Sequence, residues 1–206
     1  MQPRKLRDNH FLQAMIVWLI ILWSLTAIEP FDRSDWLLEN LLVFATLILL
    51  GLTYRRFTFS NASYFQLCVF LSLHLIGAHY TYAETPLGFW LQETFDLSRN
   101  HYDRIVHCAF GLLLAAPFYE LLSRQSGLKH SWRYLMTITV IVALSALYEL
   151  LEAITAVIVS PELGAAFLGT QGDEWDAQKD SFVATVGSIV SMLILYFYQK
   201  RNPLPN

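Results

Sequence analysis

Tyr134-Leu-Met-Thr-Ile-Thr-Val-Ile-Val-Ala-Leu-Ser-Ala-Leu-Tyr148-Glu149-Leu-Leu-Glu152-Ala-Ile-Thr155-Ala-Val-Ile-Val159 is the stretch that decides the fold. A bilayer core about 30 Å thick needs roughly 20 apolar residues at 1.5 Å rise each, and this run supplies them as one helix. Ser145, Glu149, Glu152 and Thr155 recur at helical spacing, while the other faces read Val, Ile, Leu or Ala. An ionisable group inside a membrane is expensive, so this stripe must face protein or water rather than lipid. Glu149 lies about 22 Å along the helix from its basic end, and Glu152 one turn further.

Five further apolar stretches lie outward from it. With the first they run approximately Phe11–Ile28, Trp36–Tyr54, Tyr64–Tyr82, Ile105–Leu122, Tyr134–Val159 and Ser181–Tyr198. None alternates with period two, and lipid cannot satisfy open backbone groups, so helices are expected rather than a barrel. The composition agrees: 55% of the residues are hydrophobic and only 15% charged, against about 25% charged in a soluble domain. The expected fold is an all-α membrane protein, a bundle of six transmembrane helices forming a single domain over residues 1–206. No polar stretch is long enough for a second domain.

Basic residues set the direction. Arg4, Lys5 and Arg7 precede the first helix, Arg55 and Arg56 follow the second, Arg124, Lys129 and Arg133 separate the fourth from the fifth, and Lys200 and Arg201 follow the sixth. The other connections hold Arg33, Arg99, Arg104 and Lys179 and most of the acids. The positive-inside rule then places both termini in the cytoplasm and the acid-rich loops outside. The first stretch is read as an uncleaved helix, because Leu25 and Ala27 make a poor small-x-small cleavage site. Cys68 and Cys108 fall toward opposite membrane faces and are read as packing residues rather than a disulfide.

Polar residues gather at the outer end. The third helix carries His74 near mid-depth and His79 near its end, and the next connection supplies His101 and Asp103. His107 follows Asp103 by four residues and shares its face if the helix starts that early. The last outer loop adds Asp173, Asp176 and Asp180, with Ala184, Gly187, Ser188 and Ser191 below them as small residues that permit close helix contact. Asp35 reads as the cap of the second helix, and Glu39 and Glu120 as residues near helix ends that reach interfacial water.

Three blocks, His101-Tyr-Asp-Arg-Ile-Val-His107 with Gly111, Tyr148-Glu-Leu-Leu-Glu152, and Gln171-Gly-Asp-Glu-Trp-Asp-Ala-Gln-Lys-Asp180 with Gly187, together resemble the YjdF family of bacterial inner-membrane proteins over the whole chain. The resemblance implies a multi-pass inner-membrane protein and carries over no catalytic residues.

The residues themselves point to a polar pocket that binds or acts on a lipid or small polar ligand at the periplasmic face. Glu149 and Glu152 are the candidate catalytic acids and bases. His107, Asp176 and Asp180 are the candidate metal ligands, and His79, His101, Asp103 and Asp173 the candidate ligand-binding groups. Imidazole with carboxylate suits a divalent metal such as zinc, manganese or iron, which would support hydrolysis or transfer. Two other readings stand beside this one: proton-coupled transport through Glu149, Glu152 and His74, and a structural role in which the acids pair with Arg104 or His107. Whether a reaction is catalysed is left open. Nucleotide-binding and hydrolase-elbow motifs are absent, and the placement of the basic residues is explained by topology, so no nucleic-acid partner is expected.

Overall fold

The computed structural model describes residues 6–202, so Arg4 and Lys5 lie outside the described residues. Among the described residues the chain is helical throughout. A short 3-10 turn at Leu6–Asp8 precedes α1 (His10–Thr26), α2 (Arg33–Thr53), α3 (Asn61–His79), α4 (Pro86–Phe95), α5 (Tyr102–Gln125), α6 (His130–Ile158), α7 (Pro161–Leu168) and α8 (Asp176–Arg201). Five of them, α2, α3, α5, α6 and α8, are long and apolar enough to cross a membrane. The sixth apolar helix, α1, has 17 residues and reaches about 26 Å.

The distribution of side chains is that of a protein solvated by lipid. Leu, Ile, Val and Phe cover the outside of the long helices, as at Ile20 and Ile21 on α1, Ile48 and Leu52 on α2, Val157 and Ile158 on α6, and Ile194 and Phe197 on α8. Inside sit Asp35, Glu39, Asn40, His74, Asp176, Asp180 and Ser188. Water would favour the reverse.

Local chemistry sets most helix starts. Asn9 accepts from Leu12 N and donates to Asn61 Oδ1, tying the start of α1 to that of α3. Ser60 caps α3 through Ser63 N, and Pro86 and Pro161 occupy the first turns of α4 and α7, where a missing N–H costs nothing. Asp32, not Asp35, caps α2, accepting from Ser34 N and Asp35 N. Asp35 is turned inward, and its Oδ1 has no hydrogen-bond partner. Glu39 also departs from expectation: it lies within α2 and is only 3% exposed. The short helices α4 and α7 fall in segments expected to be loops, being too short for a membrane-length apolar window.

The centre of the bundle is α5, which packs on α3, α6 and α8, with α1 outside α3, and α2 resting on α3 and α7. Among the described residues, α5 and α8 form the most extensive helix contact. A Cβ placed on Gly111 would sit 1.9 Å from Ala184 O, and one on Gly187 would sit 2.4 Å from Cys108 O. The small residues of α8 thus bring two backbones into contact. That contact aligns the first two turns of α5 and α8, where the acids lie.

Candidate functional site

Both site helices start earlier than expected. Because α5 begins at Tyr102 rather than Ile105, Asp103 and His107 lie on one helical face. Because α8 begins at Asp176 rather than Ser181, Asp176 and Asp180 are one turn apart on the face toward α5.

Asn100 holds this end of the molecule together. Its Nδ2 donates to Ala83 O at 2.8 Å and Thr85 O at 3.1 Å, and its Oδ1 accepts from Tyr102 N at 3.0 Å. Its backbone exchanges two bonds with the Gln171 amide, at 3.1 and 2.9 Å. The segments before α5 and before α8 are therefore stitched to each other and to the start of α4.

On this frame Arg99, 6% exposed, donates to Asp176 Oδ1 and to Thr170 O, both at 2.6 Å. Arg104 donates to Asp173, lies 3.3 Å from Asp176 Oδ1, and has its Nε 3.9 Å from Asp180 Oδ1. The pairing of Arg104 with Glu149 or Glu152 considered from the sequence is thus replaced by pairing with aspartates. Lys179 holds Asp173 at 2.6 Å. The Lys179 ammonium, the Trp175 N–H and the Arg104 guanidinium keep the Asp173 carboxyl well below the usual carboxylate range. His101 precedes α5, and its Nδ1 accepts from Arg104 Nη1 at 3.1 Å. Burial, then Arg104 and Arg99, lower its pKa and favour the neutral ring that can accept.

The depressed Asp173 carboxyl has a consequence in acid. A carboxyl whose folded pKa lies below its unfolded value stabilises the folded form fully above the unfolded value of about 3.9, and that stabilisation fades as pH falls through the folded value. The loop between α7 and α8 is expected to hold its neutral-pH environment down to about pH 4 and to loosen below it. Fluorescence of Trp175, beside Asp173, reads this out, and Asp173→Asn should show the loosened signal already at pH 7. A flat signal from pH 7 to 2.5 in the native chain would rule out the Asp173 clamp.

Deeper in, His107 Nε2 lies 3.5 Å from Asp103 Oδ1 and 3.4 Å from Glu149 Oε1, joining α5 to α6. One carboxylate oxygen each from Asp103, Asp176 and Asp180 lie within 4.8 Å of one another. His79 stands apart, its Nδ1 donating to Thr26 O at the end of α1 at 2.9 Å.

A second polar layer follows, which the sequence did not reveal. Tyr148 OH donates to Glu39 Oε2 at 3.0 Å, bridging α6 to α2. His74 Nε2 donates to Glu39 O at 3.0 Å, leaving Nδ1 of the neutral ring to accept from Tyr82 OH at 2.5 Å. Burial beside Glu39 and Asp103 pushes the Tyr82 phenol well above its ordinary value, so it remains a donor. The Tyr148 ring meets the His107 ring edge-on, 6.2 Å between centres, and connects the two layers.

Asp103 and His107 of the first layer, and Glu39, His74, Tyr82 and Tyr148 of the second, line one cavity of about 570 Å³. Glu39, His74, Asp103, His107 and Glu152 line part of it, Arg56 and Gln125 border it from the connection after α2 and the end of α5, and apolar residues such as Phe70, Phe110, Leu114 and Leu151 line much of the remainder.

The family comparisons fit this architecture. The family model described as Predicted membrane protein (DUF2238) matches residues 11–201. The Inner membrane protein YjdF of Escherichia coli (strain K12) is 35% identical over 190 residues, which cover 91% of this chain and 89% of that protein. No solved structure matches the chain. With nearly the whole chain matched in both comparisons, the chain belongs to the YjdF (DUF2238) family of inner-membrane proteins.

Proposed function

We propose that this is a six-span inner-membrane protein with both termini in the cytoplasm that binds a lipid-like amphiphile and acts on, or recognises, its polar head at the periplasmic end. The basic residues that flank alternate connections support the orientation. The cavity carries the functional reading. It is apolar along most of its lining, with three acids and two histidines gathered on it and Arg56 and Gln125 bordering it from the connection after α2 and the end of α5, as an amphiphile with a polar head requires. Within this site His107, held between Asp103 and Glu149, is placed to exchange a proton with a head group, and Glu152 faces the same space.

Native mass spectrometry of the detergent-purified chain tests this directly. Lipid is expected to remain bound to the wild type. Leu144→Trp, which fills the cavity from α6, should lower occupancy about tenfold or more, since it removes the apolar space rather than one contact. Equal occupancy in a folded Leu144→Trp variant would sink the reading.

Proton-coupled transport is the second reading, favoured by the buried series Tyr82, His74, Glu39 and Tyr148, in which His74 accepts from Tyr82, bonds the Glu39 carbonyl and lies 3.9 Å from the Glu39 carboxylate that accepts from Tyr148. Proton flux in reconstituted vesicles that is lost in Glu39→Gln would move the assignment there.

A further inference from the structure

Asp180 is 1% exposed, and its buried Oδ1 accepts no hydrogen bond. The closest cationic atom, Arg104 Nε, is 3.9 Å away, beyond hydrogen-bond reach. Nearby, Arg104 Nε and Arg99 Nη2 are buried donors without acceptors. Unmatched acceptors and donors thus lie side by side at the start of α8. Burying such groups unsatisfied is costly, and a buried carboxylate is retained where something compensates it.

Asp103, Asp173, Asp176, Asp180 and Glu149 converge here, five carboxyl groups against the three fixed cations Arg99, Arg104 and Lys179, so acidic groups outnumber basic ones. The guanidinium groups approach Asp176 through Oδ1 and Asp173 from the loop side. Arg104 also faces Asp180 Oδ1, but only from 3.9 Å, and Asp103 pairs with His107 at 3.5 Å. Three oxygens within 4.8 Å of one another suit a common ion, since donors bound at about 2.0–2.6 Å from one centre are at most about 4–5 Å apart. An all-oxygen donor set selects a hard ion over zinc.

The geometry points to a hard divalent cation, of the magnesium, manganese or calcium class, bound by Asp103, Asp176 and Asp180, which recruits the phosphate of an amphiphilic ligand. Phosphate oxygens complete the coordination of the ion and accept from Arg99 Nη2 and Arg104 Nε, so one ligand satisfies the donors and the acceptors together. His107 stands beside Asp103 on the cavity side. This deepens the amphiphile reading and rests on it for the phosphate, but the cation itself does not depend on lipid.

Titration of the delipidated, detergent-purified chain with manganese, followed by electron paramagnetic resonance, tests the cation alone. About one ion per chain is expected, displaced by magnesium or calcium. Asp180→Asn and Asp103→Asn should each weaken binding at least about tenfold, whereas Glu120→Gln, at the opposite end of the bundle, should not. Folding is checked by gel filtration and thermal unfolding, and Asp103→Asn decides the matter if Asp180→Asn fails to fold. No bound manganese in the wild type, or unchanged binding in a folded aspartate variant, overturns the site. Short-chain phosphatidic acid should tighten manganese binding and the matching diacylglycerol should not; equal effects overturn the phosphate. A chain that binds manganese but retains no lipid keeps the ion and loses the amphiphile reading. A chain that retains lipid without manganese does the opposite.

Discussion

Gly111→Ala is expected to cost more than about 3 kcal/mol and to leave little monodisperse protein in detergent, while Gly51→Ala leaves stability unchanged or raises it by up to about 1 kcal/mol. The chemical change is identical. Alanine is the better helix former at both positions, so intrinsic propensity argues for a gain in each case. At Gly51 the added methyl meets nothing within 4 Å. At Gly111 it would sit 1.9 Å from Ala184 O and 2.9 Å from Ser188 N, both backbone atoms of α8. No rotamer change can relieve a collision with main chain, so α5 and α8 must separate. Because the first two turns of these helices carry Asp103, Asp176 and Asp180, the same substitution should also disperse the acid cluster. Thermal unfolding of the two variants beside the wild type checks this. A folded Gly111→Ala with an unchanged midpoint would mean that the helices do not touch as described.

How far the sequence could be read follows from the same physics. Membrane helices announce themselves by length and hydropathy, because the bilayer demands both; the long apolar segments are therefore visible one residue at a time. Helices α4 and α7 escape that test, since neither has to cross anything. The Glu149 stripe and the gathering of acids and histidines at the outer end were legible because a charged residue in an apolar run has few structural explanations. Glu39 carried the same signal, but it sits near a segment end, where interfacial water is an adequate explanation until the fold closes over it. Its partner Tyr148 lies on another helix, and no pattern within one segment records that pairing. Arg99 and Arg104 were visible in another way. They are exceptions to the charge asymmetry, being cations among the acid-rich connections, and the structure turns both of them, with Lys179, onto the aspartates. An arginine that breaks the topology rule deserves to be read as a partner for a specific acid before it is read as noise.

Those exceptions support the second large effect. Arg99→Met should destabilise the chain by about 3–5 kcal/mol, because it leaves Asp176 buried with only Arg104, at 3.3 Å, facing its charge. The loss also frees Thr170 O, which Arg99 binds at 2.6 Å, so the connection from α7 to α8 loosens with it. A surface ion pair would cost no more than about 1 kcal/mol and would weaken with salt. Here both side chains are 6% exposed, so the cost should persist at high ionic strength. Pairing Arg99→Met with Asp176→Leu separates charge from packing: if the damage is an uncompensated buried carboxylate, the double variant recovers most of the lost stability. Recovery would also detach fold from function, since a chain without Asp176 would stand upright while lacking one of the three oxygens assigned to the cation. Failure to recover would show that Arg99 acts mainly as a brace for the Thr170 carbonyl, and the acid cluster would then owe its shape to the connection rather than to its charges.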